Sequence, residues 1–211
     1  MTSASQQAVG TASKAAAPTV AWPALIDEAR ALAWLRKRLS GVEGARARLY
    51  HHPMLAASYE VRRRTGSASA HALVDLVGGR AYAAEPWEHI RFIPMEVARR
   101  TGGTAAELSP AGASPGTTAA AAATSGMGET HGALTDPVRV LDDVRGEHAA
   151  RTLVRSILLR GRRLGAPGRL HPLGEPLVFG KPNWWLTGTR GGKPVEIILD
   201  GLTGRHYALK A

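Results

Sequence analysis

Residues 182–209, PNWWLTGTRGGKPVEIILDGLTGRHYAL, decide how the chain is read, because residues 52–83, HPMLAASYEVRRRTGSASAHALVDLVGGRAYA, follow the same plan. In the C-terminal stretch, β-branched and apolar residues alternate between Gly-rich punctuation, the pattern of short strands separated by turns. Strands are expected at residues 183–189, 194–200 and 205–209, with Arg190-Gly191-Gly192-Lys193 as the first turn. Asp200, Thr203 and Gly204 mark the second turn. A carboxylate there accepts from backbone N–H groups further on, and glycine supplies the positive φ that closes the turn. In the earlier stretch Asp75, Gly79, Arg80 and Tyr82 stand where Asp200, Gly204, Arg205 and Tyr207 do, at one constant offset. Pro53 corresponds to Pro182 if the first hairpin is four residues longer, and hairpin length changes at little cost.

An amphipathic helix with a basic end precedes each meander. The first begins near Pro23, carries Leu25, Ala29, Leu32, Trp34, Leu35 and Leu39 near helical spacing, and ends in Arg36-Lys37-Arg38 before Gly41. The second has Thr135-Asp136-Pro137 as its cap, then Val140, Leu141, Val144, Leu153, Ile157, Leu158 and Leu164, with Arg160, Arg162 and Arg163 at the end before Gly165. Positive charge in a last turn suits the negative end of the helix dipole. The expected fold class is therefore α+β: two repeats of a helix followed by an antiparallel three-stranded meander, packed as a pseudo-symmetric pair.

A helix followed by such a meander, with Asp200, Thr203 and Gly204 ahead of the last strand, resembles the PepSY-type half-cystatin module. Gly78 stands where Thr203 does in the other copy, a departure from that pattern. The resemblance implies a small non-catalytic interaction domain and carries over no catalytic residue.

Four segments are expected: a disordered tail over residues 1–20, a first repeat over 21–100, a flexible linker over 101–134 and a second repeat over 135–211. The tail and linker are Ala-, Gly-, Ser- and Thr-rich and too polar to offset their ordering entropy. Residues 41–48 read as a basic connection, residues 177–179 as a short extra strand, and a short helix is expected near Pro94.

The chain's 211 residues suffice for one substantial core or two small domains. They include no cysteine, which excludes disulfides and Cys-based zinc sites. No apolar run approaches the roughly 18 residues of a membrane span, and residues 1–20 lack a signal-peptide core. A soluble cytoplasmic protein without an integral membrane segment is expected. A formal charge of +10, from 27 Lys and Arg against 17 Asp and Glu, favours anionic partners.

Motif matches to enzymes fail on context. Gly112-Ala113-Ser114-Pro115-Gly116 has the letters of a nucleophile elbow, but Pro115 lacks the N–H an oxyanion hole needs. The stretch from Gly188 to Lys193 is followed by Pro194 and a strand, not by the helix of a phosphate loop. The eight histidines include no His-x-x-x-His spacing, so no metal ligand set is expected. No catalytic residue and no cofactor is assigned, and the chain is expected not to be an enzyme.

The expected function is that of a non-enzymatic interaction or scaffolding protein, with another protein, or a second copy of the chain, as partner. The alternative is a nucleic-acid binder. Trp184 and Trp185 face opposite sides of one strand, and an exposed indole near Lys181, Arg190 and Lys193, with the run Arg62-Arg63-Arg64, would suit single strands. Peripheral attachment to anionic membrane through the basic helices is the weakest alternative.

Overall fold

The computed structural model describes residues 17–63, 66–87, 89–100, 137–160 and 169–210. In chain order the elements are β1 (Val20–Ala21), α1 (Glu28–Arg38), β2 (Val42–Arg63), β3 (Gly66–Asp75), β4 (Ala81–Ala84), β5 (Ile93–Pro94), α2 (Met95–Arg100), α3 (Asp143–Arg160), β6 (Arg169–Pro172), β7 (Leu177–Arg190), β8 (Lys193–Asp200) and β9 (His206–Lys210).

All nine strands belong to one mixed sheet. Its spine is the antiparallel pair β2–β7, in register from Val42↔Arg190 to Ala56↔Leu177 with an irregularity between Glu43 and Arg46. On the outer edge of β2, β3 pairs from Met54↔Asp75 to Arg63↔Gly66, and β4 follows. On the outer edge of β7, β8 pairs from Asn183↔Asp200 to Arg190↔Lys193, and β9 follows. Strand β6 continues the line of β7 along β2, and β1 pairs parallel to β7 at Phe179 and Gly180, which makes the sheet mixed.

This corrects the expected fold class. The chain is not two helix-plus-three-strand repeats joined by a linker, because the first strands of the two meanders pair with each other and merge into one sheet. The physical reason lies in residues 41–48, expected as a connection, and the residues that follow them. Arg46, Arg48 and Tyr50 alternate with Ala45, Ala47, Leu49 and His51, so the segment extends β2 and offers β7 a full edge. Likewise the short strand expected at 177–179 is continuous with the one after it.

The helices cross over accordingly. Ala31 and Leu35 of α1 are buried with Trp184, Leu186, Val195, Ile197 and Leu199 of the second meander. Ala150 and Val154 of α3 are buried with Leu55, Ala57, Tyr59, Ala72, Val74 and Leu76 of the first. Each fully buried large side chain contributes about 1.5–3 kcal/mol, so the first cluster seats α1 on β7 and β8 together with Val42, Ala45, Ala47 and Leu49 of β2, and the second seats α3 on the first meander. The entries are fixed by backbone bonds. The N–H groups of Leu25 and Ile26 donate to Gly201 O (2.9 and 3.0 Å), and those of Val140 and Leu141 donate to Leu76 O (2.8 and 2.9 Å).

The helix starts lie later than the sequence pattern puts them, because aspartates do the capping. Asp27 accepts from Arg30 N at 2.7 Å and Asp142 from Arg145 N at 2.8 Å. Thr135 and Asp136, the linker 101–134, Arg162, Arg163 and Leu164 lie outside the described residues. Val20, expected in the tail, is already part of β1. The short helix expected near Pro94 is α2, whose Met95 and Ala98 close a third cluster with Ala21 and Ile93.

A double-mutant cycle checks the crossing. Leu35→Ala should cost about 2–5 kcal/mol in urea unfolding. It should couple to Ile197→Ala by about 0.5 kcal/mol or more and add independently with Val74→Ala. Coupling to Val74 instead would return α1 to the first meander.

Candidate functional site: the sheet face opposite the helices

Alternation along β2 and β7 sends Leu49, Leu55, Trp184 and Leu186 towards the helices and Arg46, Arg48, Tyr50, His52, Met54, Phe179, Lys181, Asn183, Trp185 and Thr187 to the other face. At its centre His52 and Lys181 are cross-strand partners, and each is bound by the aspartate of its own meander. His52 Nε2 donates to Asp75 Oδ1 at 2.7 Å, and Lys181 Nζ to Asp200 Oδ2 at 2.6 Å.

The two Asp turns place these carboxylates. Asp75 Oδ1 accepts from the N–H groups of Val77 and Gly78, both at 2.8 Å, while Gly79 N donates to Asp75 O at 2.9 Å. Asp200 Oδ1 accepts from Leu202 N (2.8 Å) and Thr203 N (3.2 Å), while Gly204 N donates to Asp200 O at 2.9 Å. Gly79 and Gly204 have φ of +71° and +69°. Gly78 stands where Thr203 does, and a Cβ there would lie 2.5 Å from Asp75 Oδ2, so the Asp75 carboxylate as placed leaves room for glycine.

Beyond the central row the face divides. On one side Met54, Ala56 and Phe179 are buried, with Leu73, Leu177, Trp22, Trp87 and Phe92 packed against them. The rings of Trp22 and Phe92 lie 5.8 and 5.2 Å from that of Phe179. On the other side, counting from the same proline and aspartate, Asn183 replaces Met54, Tyr50 replaces Phe179, Trp185 replaces Ala56, Arg48 replaces Leu177 and Ile198 replaces Leu73. Arg48, Trp185, Ile198 and Tyr207 form one row across β2, β7, β8 and β9. Arg46 and Arg48 are exposed, Tyr207 is 54% exposed, and Trp185 and Ile198 are part-buried. No described Trp or Phe ring contacts Trp185, and neither it nor Ile198 joins an apolar cluster.

The sequence-derived candidates scatter over this frame. Trp184 is core, 3% exposed, with Nε1 donating to Ile26 O at 2.7 Å. Lys181 is held by Asp200 and does not stand beside an exposed indole. Arg190 and Lys193 are exposed at the tip of the β7–β8 hairpin, about 17 Å along the strand from Trp185. Arg62 is ion-paired with Glu60 at 2.7 Å, Arg63 ends β2, and Arg64 lies outside the described residues. Sequence reasoning missed Arg46, Arg48, Tyr50, His52 and Asn183. The signal was the alternation Arg46-x-Arg48-x-Tyr50-x-His52, which places all of them on one face of a strand.

Two groups on this face have shifted ionisation. Burial, with Tyr207, Asp200 and Asp75 nearby, pushes the Tyr50 hydroxyl up to about 12 against the opposing effect of its bond from Asn183. For Asp75 burial acts upwards, but the Gly78 N–H, His52 and the Val77 N–H together outweigh it and hold the carboxyl below its ordinary value. Among the described residues no group of three or more His, Asp or Glu is placed to hold a metal ion, and no helix is long and apolar enough to cross a membrane.

No family model, curated protein or solved structure matches the chain. The reading of this face therefore rests on its own geometry.

Because the Asp75 value is lowered in the folded chain, its contribution to stability is complete above the ordinary carboxylate range and fades as pH falls through the lowered value. Asp75→Asn should lower the melting temperature at pH 7 and make it less sensitive to acid than in the native chain; parallel pH profiles would show that Asp75 is not the linked group. In a tyrosine absorbance titration, Tyr50→Phe should remove a component ionising near pH 12.

Proposed function

We propose that the chain is a non-catalytic protein-binding protein, and that the open half of the sheet face, around Trp185, receives a segment of another polypeptide. The supporting observation is internal to the molecule. At corresponding positions one half is apolar and covered by Trp22, Trp87 and Phe92, and the other offers Arg48, Trp185, Ile198 and Tyr207, with no Trp or Phe ring among the described residues packed on Trp185. A partly exposed Trp and Tyr next to arginine is the composition of interface hot spots, where rigid aromatic area is buried at small entropic cost. The duplicated-module scaffold expected from the sequence is not retained, because the meanders form one sheet.

The two tryptophans separate binding from stability. Trp184→Ala should destabilise the fold by about 3–5 kcal/mol through core loss. Trp185→Ala should lower the melting temperature less than Trp184→Ala does and weaken partner binding by tenfold or more. A photo-crosslinking amino acid at Thr187, beside Trp185 on the same face, should capture a polypeptide in cells, with the adduct lost in Trp185→Ala. A nuclease-sensitive adduct would move the assignment to nucleic acid, and no Trp185-dependent adduct would remove this face from consideration.

A further inference from the structure

The open half differs from the covered half in what it can hydrogen-bond, and that difference selects a partner. On the covered half the crossing of β2 and β7 carries Met54 opposite Phe179, two side chains that ask only for apolar cover. On the open half the same crossing carries Tyr50 opposite Asn183. Asn183 is 5% exposed, and its Nδ2 donates to Tyr50 Oη at a long 3.4 Å. Its Oδ1 is buried and has no hydrogen-bond partner among the described residues. A buried acceptor left unmet is destabilising, and a ligand N–H that reaches it relieves that cost.

Charge gives the second constraint. Arg46 and Arg48 project from this face, exposed and without a carboxylate of the described residues within ion-pair distance, and the chain as a whole carries a formal +10. Glu196, across from Thr187, is the acidic side chain on the same rows of β7 and β8. The third constraint is shape: on the covered half the rings of Trp22, Trp87 and Phe92 pack over the corresponding positions.

Resting on the protein-binding reading above, we propose that the occupant is an acidic polypeptide segment carrying an aromatic side chain. The aromatic ring packs over Trp185 and Ile198 as Trp22 and Phe92 pack on the other half. Acidic side chains meet Arg46 and Arg48, and a main-chain N–H donates to Asn183 Oδ1. The covered half supplies a precedent within the chain, since Trp87 and Phe92 lie in the segment EPWEHIRF, which pairs aromatic with acidic residues.

The test is to pan a displayed library of random twelve-residue peptides on the full chain, with Trp185→Ala as the counter-selection. Peptides that bind in a Trp185-dependent way should combine Trp, Phe or Tyr with Asp or Glu, and their affinity should fall steeply with salt. The double variant Arg46→Glu/Arg48→Glu should bind them at least tenfold more weakly and enrich basic peptides instead. Tyr50→Phe/Asn183→Met, which installs the side chains of the covered half, should melt no lower than the native chain and yet lose tenfold or more in affinity. A purely structural role for the pair predicts the opposite, a lower melting temperature with unchanged affinity. Trp185-dependent peptides without acidic enrichment would overturn the partner chemistry and leave the binding face standing. Failure to enrich any Trp185-dependent peptide would overturn both.

Discussion

Everything else in the molecule depends on the antiparallel pairing of β2 with β7, and that pairing places an imidazole and an ammonium group side by side. His52 and Lys181 are direct cross-strand partners, which brings two hydrogen-bond donors side by side. Each is tied to a carboxylate that a tight turn has preloaded with backbone N–H donors. The turns therefore do more than reverse the chain: they hold Asp75 and Asp200 over the seam and allow the two meanders to be joined edge to edge. Leu76 N donates to Pro53 O and Gly201 N to Pro182 O (3.1 and 3.0 Å), which ties each turn back to the strand beside the seam.

Once the seam is made, the rest follows from side-chain placement. Helix α1 lies over both strands of the seam and on β8, and α3 on the first meander, so the halves interlock and neither core is built from one contiguous stretch. The helices occupy one face of the sheet and leave the other to be finished by the residues that line it. Where those residues are Met54, Ala56 and Phe179, the chain covers them with its own aromatic rings. Where they are Tyr50, Asn183 and Trp185, with Arg46 and Arg48 alongside, the face keeps polar demands and positive charge. A common frame thus carries two surfaces of different chemistry.

The turns were legible in the sequence because their chemistry is local: an aspartate, a glycine at a fixed distance and alternating strands specify them without reference to anything remote. Strands β8 and β9, the two-glycine hairpin at Gly191-Gly192 and the existence of the helices were legible for the same reason. Which strand meets which was not. Residues 41–48 read as a connection through their arginines, although Ala45 and Ala47 alternate with Arg46 and Arg48, and that alternation, continued through Leu49, Tyr50 and His51, is what gives β7 its partner. The crossing of the helices was hidden as well, since both apolar stripes fit either meander by pattern alone. Of the candidate site, only Trp185, Lys181 and the two aspartates were singled out, and their grouping depended on the β2–β7 register.

That register is open to a direct covalent test, because the chain has no cysteine of its own. Arg46 and Thr187 are cross-strand partners on the open face, and neither is buried. Replacing both with cysteine places two thiols on adjacent positions of paired strands, within the roughly 4.4–6.8 Å Cα separation a disulfide spans. Under mild oxidation the double variant should lose two thiols, run faster on a non-reducing gel and remain monomeric. Two thiols that stay free in the folded chain, while either single variant behaves as native, would contradict the β2–β7 pairing and with it the face described above.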